Sequence, residues 1–243
     1  MEEKDKPTRI NKFLSQAGYC SRRKADRLLE EGRITVNGKI PEMGTKVNDQ
    51  DEVRVNGAVV RRKAKKHTYL AFNKPVGIVC TTDSGVEKDN IIDYINYPTR
   101  IYPIGRLDKA SEGLILLTDD GEIVNQILRS RNDQGREYIV KVNHPVTKEF
   151  LQGMSAGVPI LDTVTKKCEV TKLGTSEFSI VLTQGLNRQI RRMCEYFDYR
   201  VVALKRIRVV NIKLDIPVGE YRELTDEELE DLKQFTGGNS DKA

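Results

Sequence analysis

The sequence predicts an α+β protein in two parts, a small basic module followed by a larger domain built on a mixed sheet with flanking helices. Three observations carry this expectation. Residues 1–66 hold 17 Lys and Arg against 10 Asp and Glu, so positive charge is concentrated at the N-terminus. The same stretch contains two short helical patterns and two Asn-Gly turns. From Tyr69 onward, strand-like runs outnumber helices and follow no regular βαβ alternation, which argues against a doubly wound sheet.

The elements can be justified in order. Ile10, Phe13, Leu14 and Ala17 fall at i, i+3, i+4 and i+7, which predicts a helix over 8–18 stopped by Gly18. Ser21 is an N-cap candidate for a second helix with an apolar stripe of Ala25, Leu28 and Leu29, ended by Gly32. Arg23 and Arg27 share a face away from that stripe. Ile34 and Val36, then Val53 and Val55, alternate before Asn37-Gly38 and Asn56-Gly57, the strongest short hairpin signal. Arg61-Arg-Lys-Ala-Lys-Lys66 has no periodicity and reads as a linker.

In the larger part, Tyr69–Phe72 reads as a strand entering the turn Asn73-Lys-Pro-Val-Gly77, with Ile78–Thr82 leaving it. Leu114–Leu117 is wholly apolar, as a strand buried on both faces would be. Tyr138–Val142 and Phe178–Leu182 alternate as strands. Helices are expected at 120–129, 147–153 and 187–197. Thr225-x-x-Glu228 is a capping box flanked by Leu224 and Leu229 as a hydrophobic staple, so a last helix starts there. The tail from Thr236 is polar.

No apolar run approaches the roughly 18–20 residues of a spanning helix. The start Met1–Pro7 is too polar for a signal peptide, so a cytoplasmic location is expected. Cys20, Cys80, Cys168 and Cys194 form no C-x-x-C pair and have only His67 and His144 as further soft ligands. A metal site is therefore not expected, and reduced thiols are. Local basic charge fits a polyanionic partner, or equally a solvated surface.

Chemistry concentrates in three places. In Gly105-Arg-Leu-Asp108, extended backbone puts Arg106 and Asp108 on one side and Leu107 on the other. An arginine beside a carboxylate favours its charged form and suits it to act as nucleophile or base. A surface ion pair is the plainer reading. In Gly185-Leu-Asn-Arg-Gln-Ile-Arg-Arg-Met193, helical spacing puts Arg188, Arg191 and Arg192 on one basic face opposite Ile190, Met193, Cys194 and Phe197. An amphipathic helix with a solvated face has the same pattern. In Arg136-Glu-Tyr138 the tyrosine is either core packing or a stacking plane for a base.

Taken together and in this order, Asn73-Lys-Pro-Val-Gly77, Gly105-Arg-Leu-Asp-x-x-Ser-x-Gly-Leu114 with Leu117-Thr-Asp-Asp-Gly121, Arg136-Glu-Tyr138 and Gln189-Ile-Arg-Arg-Met193 resemble the successive motifs of the RsuA/RluB/RluE/RluF group of ribosomal pseudouridine synthases. Residues 8–60 resemble the S4 RNA-binding domain that precedes the catalytic domain in most of that group. Gly185-Leu-Asn-Arg-Gln189, Val158-Pro-Ile-Leu161 with Thr163–Cys168, and Ile216-Pro-Val-Gly-Glu220 resemble the RluF type more finely.

The resemblance implies a mixed, mainly antiparallel synthase sheet over 68–236, an α/β S4 domain of the αL type over 1–60, a basic linker over 61–67 and a disordered tail over 237–243. It implies a cofactor-independent isomerase that converts uridine to pseudouridine in large-subunit rRNA and also in a tRNA anticodon loop. Asp108 would act on the ribose, Arg191 would pair with it, and Tyr138 would stack on the flipped base. Arg106 would border the space that base vacates, and Lys74 would line the cleft. Arg22, Arg23 and Arg27 of the S4 domain would contact RNA, as would Arg188 and Arg192. Many relatives carry His where this chain has Arg188, so position 188 is assigned to RNA contact and not to chemistry. The expected partner is structured RNA, with no DNA, no membrane and no metal, for a monomeric chain. A non-catalytic ribosome-assembly factor of the same fold is the competing reading, and it predicts a broken Asp–Arg–Tyr set.

Overall fold

The computed structural model describes residues 7–48, 50–61, 67–82, 87–129 and 135–237. Most of the expected linker and the last residues, 62–66 and 238–243, thus lie outside the described residues. Two compact units are present. One reaches His67 and includes Asp119–Gly121; the other comprises Thr68–Thr118 and the chain from Glu122.

The first unit runs β1 (Thr8–Arg9), α1 (Ile10–Gln16), α2 (Arg22–Glu30), β2 (Ile34–Val36), β3 (Lys46–Val47), β4 (Val53–Val55) and β5 (Ala58–Val60). Its core joins Ile10, Phe13 and Leu14 of α1 to Ala25, Leu28 and Leu29 of α2 and to Ile34, Val53 and Val55. The first helix starts later than the spacing predicts, because Thr8 and Arg9 pair with Val47 and Lys46 instead. Gly18 adopts φ +75° and ends the helix, with the N–H groups of Gly18 and Tyr19 donating back to Ser15 and Leu14 carbonyls. Ser21 Oγ caps α2 by accepting from the Lys24 N–H at 3.2 Å. Asn56 and Gly57 are both left-handed and close the β4–β5 hairpin.

The larger unit runs β6 (Tyr69–Lys74), α3 (Ile91–Ile95), β7 (Tyr102–Pro103), β8 (Glu112–Thr118), α4 (Gly121–Arg129), β9 (Arg136–Val142), α5 (Lys148–Ala156), β10 (Pro159–Ile160), β11 (Thr163–Val164), β12 (Glu169–Gly174), β13 (Glu177–Leu182), α6 (Gln189–Tyr196), β14 (Val201–Val209), β15 (Ile212–Lys213), β16 (Tyr221–Glu223) and α7 (Asp226–Gly237). The sheet order is β12-β13-β9-β14-β8-β6-β16, with β15 beside β14 and β7 beside β8. Every pairing is antiparallel except β14 with β8. The sheet is therefore mixed and mainly antiparallel, as expected.

Helices cover the sheet. Phe150 and Met154 of α5 and Ile190 and Met193 of α6 pack with Val140, Phe178, Ile180 and Leu204. Ile123, Ile127 and Leu232 pack with Leu114, Leu116 and Ile212, whereas Ile91 and Ile95 pack with Leu70, Phe72, Ile115 and Leu117. The β8 residues thus alternate between two cores, which is why its sequence is apolar throughout. The capping box forms as predicted: Thr225 N–H donates to Glu228 Oε2 at 2.9 Å and Glu228 N–H to Thr225 Oγ1 at 3.1 Å. Among the described residues no helix is long and apolar enough to cross a membrane.

Three expectations need correction. Ile78–Thr82 is not a returning strand; only Val79 forms a bridge, to Asn90. The helix expected from 187 begins at Gln189, because Arg188 is left-handed at φ 51°. The longest strand, β14, has no counterpart among the predicted elements, because Lys205, Arg206 and Arg208 break its apolar alternation.

The parallel junction fixes the geometry below. Gly113 of β8 lies opposite Arg206 of β14 at φ +108°. A Cβ there would overlap the Arg206 carbonyl oxygen and stand 2.6 Å from the Arg206 nitrogen. Lys74, Gly113, Arg206, Tyr138 and Ile180 are consecutive register partners across five strands. A bulge in β14 then separates two arginines. Arg206 pairs with Tyr138 but Arg208 with Glu137, although residues two apart on a regular strand share a face. Arg206 therefore follows Tyr138, while Arg208 turns to Glu137, with Nε 2.9 Å from Oε2. Gly113→Ala should cost about 2–4 kcal/mol through left-handed strain and backbone overlap. The expected result is a lower urea midpoint at constant slope; an unchanged midpoint would show that the junction relaxes freely.

Candidate active site

The loop between β7 and β8 reaches the site because its backbone groups are held from several sides. Gly77 N–H donates to Lys109 O at 2.8 Å, and Ser111 N–H to Asp108 O at 3.0 Å. Leu107 turns inward, and its N–H approaches Cys80 Sγ at 3.4 Å. Burial pushes the Cys80 thiol up, so it stays neutral there. Arg106 and Asp108, on the other side of Leu107, line a cavity of about 830 Å³. That volume suits a nucleoside-sized ligand.

Arg191 closes the loop from α6. Ile190, Met193 and Cys194 anchor the helix in the core and leave residue 191 turned to the loop. Its Nη2 donates to Ala110 O at 2.9 Å and to Ser111 Oγ at 3.2 Å. Its Nε lies 3.9 Å from Asp108 Oδ2, is buried, and has no hydrogen-bond acceptor among the described residues. The side chain of Arg191 is 11% exposed and that of Asp108 is 39% exposed. The guanidinium therefore grips the loop backbone and supplies charge to the carboxylate without a bidentate lock. Asp108 keeps its oxygens open to the cavity.

Tyr138 stands in the wall beside Ile180 and Arg206 and packs against two core clusters. Arg106 is exposed at the cavity. Arg136 and Arg206 also line it, although the sequence reading gave neither a role. A strand pattern interrupted by single cations was the available signal for Arg206.

Other sequence-predicted positions behave differently. Lys74 does not line the cleft. It is 0% exposed, and its Nζ donates to Pro75 O and Ile78 O, both at 2.8 Å. Burial lowers its pKa, against the pull of the Asp108 and Glu112 carboxylates. Its ammonium holds the 75–78 turn, whose Gly77 in turn holds the Asp108 loop. The single basic face expected of Arg188, Arg191 and Arg192 is not formed. Arg188 sits at the cavity in a left-handed cap position, 4.0 Å from Glu195. Arg192 folds onto Asn187, with Nε donating to Asn187 O at 3.1 Å, and is not part of the lining. Arg22, Arg23 and Arg27 are exposed on α2 of the other unit. Among the described residues no group of His, Cys, Asp and Glu forms a metal site.

Residues 68–196 match the sequence profile described as RNA pseudouridylate synthase, and residues 8–53 match the S4 domain. The chain is 54% identical over 241 residues to the dual-specificity RNA pseudouridine synthase RluF of Salmonella typhi, covering 98% of this chain and 83% of that one. The chain belongs to the RNA pseudouridylate synthase family. It is an RNA pseudouridine synthase, an isomerase of uridine within RNA, with an S4 domain at its N-terminus. It is also 36% identical over 234 residues to the ribosomal large subunit pseudouridine synthase B of Bacillus subtilis, covering 93% and 95% of the two chains. Among solved structures, the crystal structure of a pseudouridylate synthase superposes with a TM-score of 0.68 at 27% identity, covering 92% of this chain and 99% of that one. The non-catalytic reading is set aside, because Asp108, Arg191 and Tyr138 are present and come together at one cavity.

Arg191→Lys removes the planar fork that reaches Ala110, Ser111 and the Asp108 side at once. Turnover is expected to fall by at least about 10²-fold, from loss of positioning, with RNA affinity kept. Tritium release from 5-tritiated uridine in transcripts measures it; a wild-type rate would show that a point charge suffices.

Proposed function

We propose that this synthase acts on a uridine of large-subunit rRNA and on a second uridine in a tRNA anticodon loop, with Asp108 as the group that acts on the ribose. The observation that carries the catalytic part is the Asp108 carboxylate, open to a nucleoside-sized cavity and backed by a guanidinium that does not lock it. The substrate part rests on the motif resemblance, on the dual specificity named for the Salmonella relative and on the ribosomal large subunit named for the Bacillus one.

The N1–C1′ bond of a stacked uridine is out of reach, so the nucleotide turns out of its helix into the cavity. Tyr138 supplies the ring on which the base stacks, and Arg106 borders the space the base leaves. Asp108 then attacks C1′ or removes the C2′ proton; both routes use the same exposed oxygen. The base turns, rejoins through C5 and gives up the C5 proton, while N1 gains one, so nothing is consumed. Asp108→Asn should abolish pseudouridine formation while RNA binding survives, since phosphate contacts supply most of the affinity. Mass mapping of each RNA after incubation tests this, and a variant near the wild-type rate would refute the assignment.

The same reading assigns residues 1–60 to RNA binding, 61–67 to a tether and 68–236 to catalysis, in a cytoplasmic monomer. The second helix of the S4 domain presents Arg22, Arg23 and Arg27 to the phosphates of structured RNA, which is read by shape and backbone more than by sequence. Replacing Arg23 and Arg27 by Glu should weaken binding across all RNAs and lower the log K against log salt slope by about one per lost phosphate contact. A slope equal to that of the wild type would remove the RNA-contact role from α2.

A further inference from the structure

The cations of the cavity wall differ in how their charge is met. Arg191 faces Asp108, Lys109 stands 3.5 Å from Glu87, and Arg188 is 4.0 Å from Glu195. Arg106 is exposed. Arg136 and Arg206 have neither remedy. Arg206 is 3% exposed; its Nε donates to Leu114 O at 2.6 Å, but its Nη2 is buried with no acceptor among the described residues. Arg136 is half-buried, and no carboxylate pairs with it among the described residues. Burial lowers its pKa, opposed by the nearby Tyr138 phenol and reinforced by the like charge of Arg206. A buried and a half-buried guanidinium close together without an anion are costly, and the β14 bulge is what turns Arg206 toward this side.

Their position limits what the missing anion can be. Arg206 is the direct cross-strand partner of Tyr138, and Arg136 lies two residues from Tyr138 on the same face of β9. Both guanidiniums therefore flank the ring assigned to the base, not the rim where exposed Arg106 meets solvent. The reaction generates one anion at that place. When the N1–C1′ bond breaks, its electron pair stays on N1 and spreads to O2 and O4 of the uracil. At the sugar, C1′ is satisfied by a bond to an Asp108 oxygen or by loss of the C2′ proton to it. The uracil anion must then be held while it turns. When C5 bonds to C1′, Asp108 leaves or returns its proton to C2′, the C5 proton departs and N1 is protonated.

We propose that Arg136 and Arg206 form the binding site of the detached uracil anion, donating N–H groups to the oxygens that gain charge as the glycosidic bond breaks. Such donors act on the developing charge more than on the bound uridine, so they affect turnover more than affinity. The proposal rests on the pseudouridine synthase activity and on the base standing at Tyr138.

Arg136→Gln in the full chain carries the test, because among the described residues this side chain supports no backbone carbonyl; Arg206→Lys and Arg136→Lys accompany it. With uridine transcripts, Arg136→Gln should lower kcat by about 10²–10³-fold, the range for losing one donor to a developing oxyanion, with KM and RNA affinity near wild type. Arg136→Lys should recover part of the loss. With 5-fluorouridine in place of uridine, the departing base is a weaker base and depends less on the guanidiniums. The defect in glycosidic cleavage, followed as disappearance of the fluorinated nucleoside after digestion, should shrink by about tenfold. Three results would overturn the site: a wild-type kcat in Arg136→Gln, an equal defect on both substrates, or weakened binding with a flatter salt slope at unchanged kcat. The last would mark a phosphate contact instead. If the wild type itself formed no pseudouridine while binding RNA, the activity assignment would fall, and this site with it.

Discussion

The active site depends on one backbone contact that only glycine permits. Where β8 and β14 run parallel, Gly113 sits against the peptide of Arg206, too close for any Cβ. That approach joins the antiparallel β6–β8 pair to the antiparallel β14–β9–β13 set. It also aligns Lys74, the empty position at 113, Arg206 and Tyr138 in one register row. The loop bearing Asp108 leads directly into β8, so the carboxylate's height above that row is set by the junction. Separating the two strands would move the Asp108 carboxylate relative to the Tyr138 ring and Arg206, and small displacements matter for catalytic positioning.

Above the row, Arg191 resolves a conflict between charge and availability. A short bidentate pair would hold Asp108 firmly but would occupy the oxygens that now face the cavity. Here the guanidinium directs its hydrogen bonds to Ala110 O and Ser111 Oγ and faces Asp108 at 3.9 Å. The loop is hydrogen-bonded in place, the charge is close, and the carboxylate oxygens stay open to the cavity. The unfilled hydrogen-bonding capacity of the buried Nε is the cost of that arrangement. Such an unpartnered group is tolerated because α6 is locked into the core by Ile190, Met193 and Cys194.

Much of this was legible in the sequence, and the parts that were not share a cause. Capping residues, Asn-Gly turns and unbroken apolar runs encode local structure, so Ser21, Gly18, Thr225 with Glu228, and Leu114–Leu117 all read correctly. The motif carrying Asp108, Tyr138 and Arg191 was visible as a set. Long-range pairing was not. The first helix yielded Thr8 and Arg9 to β3, whose register partners Val47 and Lys46 are far along the chain. In β14, cations at 205, 206 and 208 disguised a central strand, and the bulge that makes sense of them appears only when the partner strand is known. The family resemblance placed Lys74 in the cleft, and nothing local in the sequence opposed it; its two carbonyl acceptors come from the fold of the adjacent turn. Helical spacing likewise grouped Arg188 with Arg191 and Arg192, whereas a left-handed residue 188 lies outside the helix and breaks the face.

Lys74 and Arg206 occupy the same row, on either side of Gly113, and show two ways of burying a cation. Lys74 meets two carbonyls of the adjacent turn, so its burial stabilises local backbone and asks for no partner. Arg206 meets one carbonyl through Nε and leaves the far end of its guanidinium unmatched, next to Arg136, which has no carboxylate of its own among the described residues. A compact ammonium can be satisfied by a tight turn, but a planar fork presents donors in two directions. In this sheet one direction faces β8 and the other stays on the side of Tyr138. The resting protein thus holds two guanidiniums that no carboxylate among the described residues pairs with. That is a destabilising arrangement for a scaffold and a useful one for a reaction in which negative charge appears on a base that has, for a moment, no covalent bond to anything.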